Sequence, residues 1–298
     1  MLWPLLDRPS RALLRSQSGP RSGAWLTALP TEAGFCLSPL RMQTALRRRL
    51  RLPLPLRTNR CGGDGLPGCG ARVDAWGDHA AACPRAGLLQ RRAKPLERAW
   101  VRVAREAVGA EGQVLPQPWL ANTTANVPAH DRRRLDMVVY GADPLGRAQC
   151  CDVTLVSPIS RVGQPQPRAD VRDGACVRRA RRRKRRVYPE LLRGGPHALV
   201  VLAGEIGGRW HRDALDFVHR LTLRTRRAPR VLRASAAQAW DRRWWALISV
   251  AAQDAVAASL VEGAVAAWPS PTGFDEPHLG DVLGWQPPAP DVSRLPLR

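Results

Sequence analysis

The chain has 298 residues with 47 basic and 25 acidic side chains, a formal net charge of +22 and an isoelectric point near 11.5. Hydrophobic residues make up 44% of it, enough for a buried core, so a wholly disordered polycation is excluded. The most apolar long segment, Ile248 to Trp268, is interrupted by Gln253, Asp254 and Glu262, so no membrane span is expected.

Such a charge favours a polyanionic partner, a nucleic acid (DNA, or RNA), because neutralised phosphates release condensed counterions. Two of the basic residues, Lys94 and Lys184, are lysines and all the rest are arginine. A GC-rich coding sequence would also enrich arginine, but the charge is present whatever its origin. Seven cysteines, an odd number without the spacing of a disulfide framework, point to a reducing compartment.

In chain order, residues 1–57 are a basic Pro- and Arg-rich lead and linker. The first two dozen, with Asp7 as the one acid, have the composition of an organelle transit peptide. Met42 to Leu52 reads as a short basic helix stopped by Pro53 and Pro55. Residues 58–87 form a Gly- and Cys-rich module. Residues 88–228 form the main α/β (α+β) core: a helix over Leu88 to Val108 with Leu89, Leu96, Trp100, Val103 and Ala107 at helical spacing, then strands over Gln113 to Leu120, Arg134 to Tyr140 and Ala148 to Val156. Gly141 to Gly146 makes the last two strands a hairpin. The Pro-rich linker Gln164 to Pro167 leads to a long basic helix ending near Leu192, a buried strand over His197 to Ile206, and a helix over Trp210 to Arg226. Residues 229–298 hold a helix over Ser235 to Val265 and a Pro- and Gly-rich tail expected to be disordered. The order predicts a mixed sheet flanked by helices.

Cys61, Cys69, His79 and Cys83 fall within 23 residues in the spacing Cys-x7-Cys-x9-His-x3-Cys, punctuated by glycines. Three soft thiolates and an imidazole are the donor set of a closed, structural Zn²⁺ site, although the first spacing is longer than usual. The alternative is a loop of free thiols with a surface histidine. Cys36, Cys150, Cys151 and Cys176 read as buried packing residues.

In the hairpin, alternation sends Asp136, Val138 and Tyr140 to one face and Leu135, Met137 and Val139 to the other. Asp152 shares a face with Cys150, Thr154 and Val156. Each strand thus carries one acid among apolar neighbours, and a buried carboxylate needs a counter-charge. Either the pair holds Mg²⁺, as in phosphodiester hydrolysis, or each acid meets an arginine. On the basic helix, Val177, Ala180, Lys184, Val187 or Tyr188, and Leu191 form one stripe, which turns Lys184 inward. Arg178, Arg179, Arg181, Arg182, Arg183, Arg185 and Arg186 cover the rest. With Arg133 and Arg134 they are the candidate nucleic-acid-binding residues. Lys184 is placed either to polarise a scissile phosphate or to snorkel from the stripe's edge.

Trp25-Leu-Thr-Ala-Leu-Pro30, the Cys61–Cys83 cluster with Gly77-Asp-His79, and Arg133-Arg-Leu-Asp136 through Cys151-Asp152 to Lys184 and Tyr188 carry a family likeness. The stretch from about residue 25 to 225 resembles the region after the reverse transcriptase in site-specific non-LTR retrotransposons. There a CCHC zinc knuckle precedes a restriction-like endonuclease of the PD-(D/E)xK superfamily, with the lysine moved onto the following helix. The resemblance implies a Mg²⁺-dependent DNA endonuclease with Asp136, Asp152 and Lys184 as catalytic residues, acting in the nucleus (an organelle is the alternative). Glu97 stands where some members carry a further acid, though a solvent-facing residue is the simpler reading. Leu135 replaces the proline before the first acid, a Pro-rich insertion separates Asp152 from Lys184, and no Tyr-x-Asp-Asp polymerase motif occurs. The chain therefore reads as an isolated C-terminal piece, and a non-catalytic nucleic-acid-binding remnant is the alternative function.

Overall fold

A mixed four-stranded sheet forms the centre of the chain in a computed structural model that describes residues 5–54, 60–62, 68–123, 125–224 and 233–261. Its strands are β1 (Gln113–Pro116), β2 (Met137–Tyr140), β3 (Ala148–Val156) and β4 (His197–Glu205), in that spatial order. β1, β2 and β3 pair antiparallel, while β3 and β4 run parallel with Asp152 opposite Val201. A parallel pair needs a crossover, and α5 (Ala175–Val187) lies within it. Val177 and Ala180 of α5 pack on Val201 and Ala203. The alternate β4 residues, Val200 and Leu202, face α4 (Leu88–Val108), α6 (Arg212–Arg224) and α7 (Arg233–Val261).

The larger core lies on that second face. Leu96, Trp100 and Val103 of α4 meet Phe217, Trp244, Trp245 and Ile248. Trp100 stands edge-on to Trp210 and Trp245, with centroids 5.6 and 6.0 Å away, the arrangement that ring quadrupoles favour. Gly204 makes room for this cluster, since a Cβ there would meet the Trp210 ring at 2.6 Å. Among the described residues, α1 (Arg8–Ser16), α2 (Pro39–Arg49) and α3 (Asp78–Ala82) complete the helices. The described parts of all four segments expected from the sequence lie in one compact unit, Met1–Ala266. The tail from Trp268 falls outside the described residues.

Several boundaries differ from expectation for local reasons. The short basic helix starts at Pro39, because proline suits the first helical turn, and it stops before Arg51, whose φ is +58°. β1 ends at Pro116 because Gln117 has φ +52°, and beyond it the two segments stay joined by single backbone bonds and a Trp119–Arg134 bridge. β2 begins at Met137 rather than Arg134. The alternation fails there: Leu135 packs on the Val138 side, with Leu120 and Tyr188, instead of beside Met137. α5 stops at Val187, since the residue before Pro189 is driven out of the helical region, and a 3₁₀ turn carries the chain to Leu192. Cys150, Cys151 and Cys176 are buried, but Cys36 is exposed because its neighbour Phe35 fills the core instead.

Candidate active site and metal centre

Asp136 stands one residue ahead of β2. Its amide donates to the Cys151 carbonyl at 3.2 Å and its carbonyl accepts from Gln117. Its Oδ2 accepts the amide of Val153 at 2.6 Å, so the carboxylate is tied to β3 where a ladder carbonyl would otherwise stand. Asp152 lies mid-strand on β3 with its side chain 2% exposed. The Lys184 ammonium sits 2.7 Å from its Oδ1 and 2.9 Å from its Oδ2, and donates a well-directed hydrogen bond only to Oδ2. The Tyr188 hydroxyl, beside Asp152, donates to the Arg134 carbonyl at 2.9 Å.

The two acids feel each other. Burial pushes the Asp136 carboxyl up to about 7, and the neighbouring charges of Asp152 and Glu97 push the same way against the Val153 amide and Lys184. Burial also raises Asp152, opposed chiefly by Lys184. Glu97 is the residue that sequence reasoning left on the surface. It is half-buried, accepts from Gln117 Nε2 at 2.8 Å, and lines with Asp136 a groove of about 780 Å³ whose other walls include Lys94, Arg98 and Arg134. Position on the α4 face cannot reveal this. The kink at Gln117 is what turns β1 toward Glu97. The Arg134 guanidinium in the groove wall lies 5.4 Å from the ring centre of Trp119, which is 41% exposed.

The candidate nucleic-acid-binding arginines divide. Arg133 is held by Asp131, Glu190 and the Val187 carbonyl, and Arg181 pairs with Asp213 at 2.6 Å. Arg179 donates to Gln166, and one nitrogen of Arg178 is buried without a partner. Arg134 donates to the carbonyl and side chain of Gln117. Arg182, Arg183 and Arg186 are exposed and Arg185 is half-buried.

Cys61, Cys69, His79 and Cys83 converge, with all four donor atoms within 4.8 Å of one another. The Cys61 and Cys83 sulfurs are 3.8 Å apart, and Cys69 Sγ is 3.3 Å from His79 Nε2. Zinc–sulfur bonds of about 2.3 Å at tetrahedral angles set sulfurs roughly 3.8 Å apart. His79 Nδ1 lies 2.8 Å from the Arg161 carbonyl, which can only accept. Nδ1 therefore carries the proton and Nε2 offers its lone pair to the cluster, the outer-shell arrangement of metal-bound histidines. Asp74, which sequence reasoning passed over, builds this turn: its carboxylate accepts the amides of Trp76, Asp78 and His79. Asp78 is buried between Arg48 and Arg51. The cluster can hold a metal such as zinc.

Among the described residues no helix is long and apolar enough to cross a membrane. Neither a known family model nor a curated protein matches the chain, so its function is argued from the geometry of these two sites.

Proposed function

We propose that the chain is a metal-dependent DNA endonuclease with a restriction-like core, nicking phosphodiester bonds through Asp136, Asp152 and Lys184. The observation that carries this reading is the ammonium of Lys184 set 2.7 Å from a buried Asp152 that faces Asp136 across the β2–β3 junction. Two carboxylates in mutual repulsion are a poor structural pair but a good divalent-cation site. Asp152 Oδ1, buried without a hydrogen bond, and the raised Asp136 carboxyl fit Mg²⁺, with Glu97 as a further oxygen donor. When bound, Mg²⁺ supplies positive charge at the phosphate and at the attacking water. Lys184 holds a compact positive charge at the same point, where transition-state charge develops. The Val153 amide fixes the Asp136 carboxylate, Lys184 holds that of Asp152, and the exposed arginines of α5 grip the backbone. The Cys/His cluster, as a zinc knuckle, braces the strand–helix connection through Arg161. A retrotransposon-derived protein acting in the nucleus is the origin and location that accord with this reading.

The test is nicking of supercoiled plasmid with Mg²⁺ or Mn²⁺. Wild type is expected to give open circles and Asp136→Ala none. A second reading rests on the same contact: Lys184 already neutralises Asp152, as a structural ion pair would. On that reading the chain binds nucleic acid without cutting, and wild type leaves the plasmid closed with either ion.

A further inference from the structure

β3 outruns its partner. β2 pairs only as far as Cys151, whereas β3 continues to Val156. Beside this uncovered stretch is a cavity of about 460 Å³, bounded by α3, α4, residues 153–157 and α5. Arg92 in its wall is 2% exposed. Its Nη2 donates to the Ala81 carbonyl at 2.9 Å, but Nε and Nη1 are buried with no partner. The contrast with Arg48 is informative: that buried guanidinium has Asp78 at 3.4 Å. Burial, together with repulsion from Arg48, brings the Arg92 guanidinium down to about 10, and no acid among the described residues opposes this. A buried cation without a counter-charge is costly, and here the missing anion has a space. Arg179 and Arg183 line the same cavity, with Thr154 offering a hydroxyl and Leu96 as apolar wall. Arg183 also acts on Asp152, so the cavity adjoins the acidic hairpin.

We infer that this cavity is a phosphate site, in which Arg92, Arg179 and Arg183 take a phosphate of the bound nucleic acid adjacent to the one at Asp136 and Asp152. Its volume lies in the range of nucleotide-sized ligand sites, so the sugar next to that phosphate fits against Leu96. The guanidinium fork suits phosphate oxygens better than an ammonium does. The nucleic-acid part of this inference rests on the function proposed above; the anion site itself does not.

The test is thermal unfolding of the full chain in inorganic phosphate against chloride at equal ionic strength, with binding of short oligonucleotides carrying a 5′-phosphate or a 5′-hydroxyl. Phosphate is expected to raise the Tm of wild type. Arg92→Gln, which keeps a donor for Ala81 but loses the charge, should lose more than half of that rise. Arg92→Lys, which keeps the charge but loses the fork, should keep part of it, and Arg212→Ala, at an exposed side chain of α6, all of it. An equal rise in wild type and Arg92→Gln overturns the site. If Arg92→Gln does not fold, Arg179→Ala with Arg183→Ala replaces it, and an undiminished rise again overturns the site. A 5′-phosphate advantage that disappears in Arg92→Gln assigns a terminal phosphate. Equal weakening of both oligonucleotides assigns a backbone phosphate. Unchanged affinity for both, with the inorganic-phosphate effect lost, overturns the nucleic-acid assignment alone. None of these readouts needs cleavage, so a chain that fails to nick plasmid can still pass them.

Discussion

The ion pair that Lys184 makes with Asp152 and the catalytic role proposed for it are separable by a single substitution. If its ammonium stabilises charge in the transition state, Lys184→Ala should lower nicking on the order of a hundredfold or more. DNA affinity should hardly change, since one positive charge of 47 is removed. Lys184→Arg should also be impaired, because a planar fork cannot occupy the point between the two Asp152 oxygens. A Lys184→Ala protein that cuts as fast as wild type would reduce the residue to a counter-ion. Asp136 gives an independent test through pH. Its carboxyl is raised to about 7 in the folded chain, against about 3.9 for an unperturbed aspartate. Between those values the native state binds the proton more tightly than the unfolded state. Asp136 therefore costs no stability below about pH 4, a growing amount as pH rises toward 7, and its full cost above that. In urea titrations from pH 5 to 8 without divalent ions, wild type should lose stability relative to Asp136→Asn. Mg²⁺ should offset that loss, most at pH 8. Equal pH slopes for the two proteins would remove Asp136 from the metal site.

At the scale of elements, the sequence is legible where one physical signal dominates. α4 and β3 run where periodicity puts them, Leu88–Val108 and Ala148–Val156, because an apolar stripe and an apolar run leave no competing reading. Lys184 is legible as inward-facing because the arginines around it mark the wet face of α5. What periodicity cannot carry is tertiary replacement of local bonds. The Asp136 side chain takes the Val153 amide and ends β2 early; the left-handed Gln117 ends β1 and brings Glu97 to the groove. Arg92 looks on the page like any other arginine of a basic helix, and only packing makes it an orphan. The metal cluster was legible in its ligands but not in Asp74, whose role depends on which amides its carboxylate meets. That cluster predicts one zinc per chain by elemental analysis, lost in Cys69→Ser with Cys83→Ser. Because His79 is anchored to Arg161, chelation should also raise amide exchange in the loop after β3. Exchange there unchanged by chelation would separate the metal from the core.

For the whole molecule, the proposed DNA binding is expected to weaken steeply with salt given a charge of +22, and the ion pairs of α5 divide the charges free to set the slope from those already paired. Residues 178–186 hold eight basic side chains of nine, yet they are not equivalent. Arg181 is neutralised by Asp213 and Lys184 by Asp152, so neither displaces a counterion from DNA without first breaking an ion pair. Arg182 and Arg186 are exposed. Each phosphate that they neutralise adds about 0.9 to the slope of log affinity against log salt. Arg182→Ala with Arg186→Ala should therefore reduce the slope by about 1.8, whereas Arg181→Ala should leave it nearly unchanged. The measurement is a titration of duplex binding across salt in an Asp136→Ala background, so that the proposed cleavage cannot distort the equilibrium. Equal losses of slope for Arg181→Ala and Arg182→Ala would mean that the Asp213 pair opens on binding. No loss for the double variant would move the DNA off α5 altogether. The groove at Asp136, with Arg134 over the exposed ring of Trp119, would then have to carry the grip, and Trp119→Ala should weaken binding with little change in slope, because stacking releases no counterions.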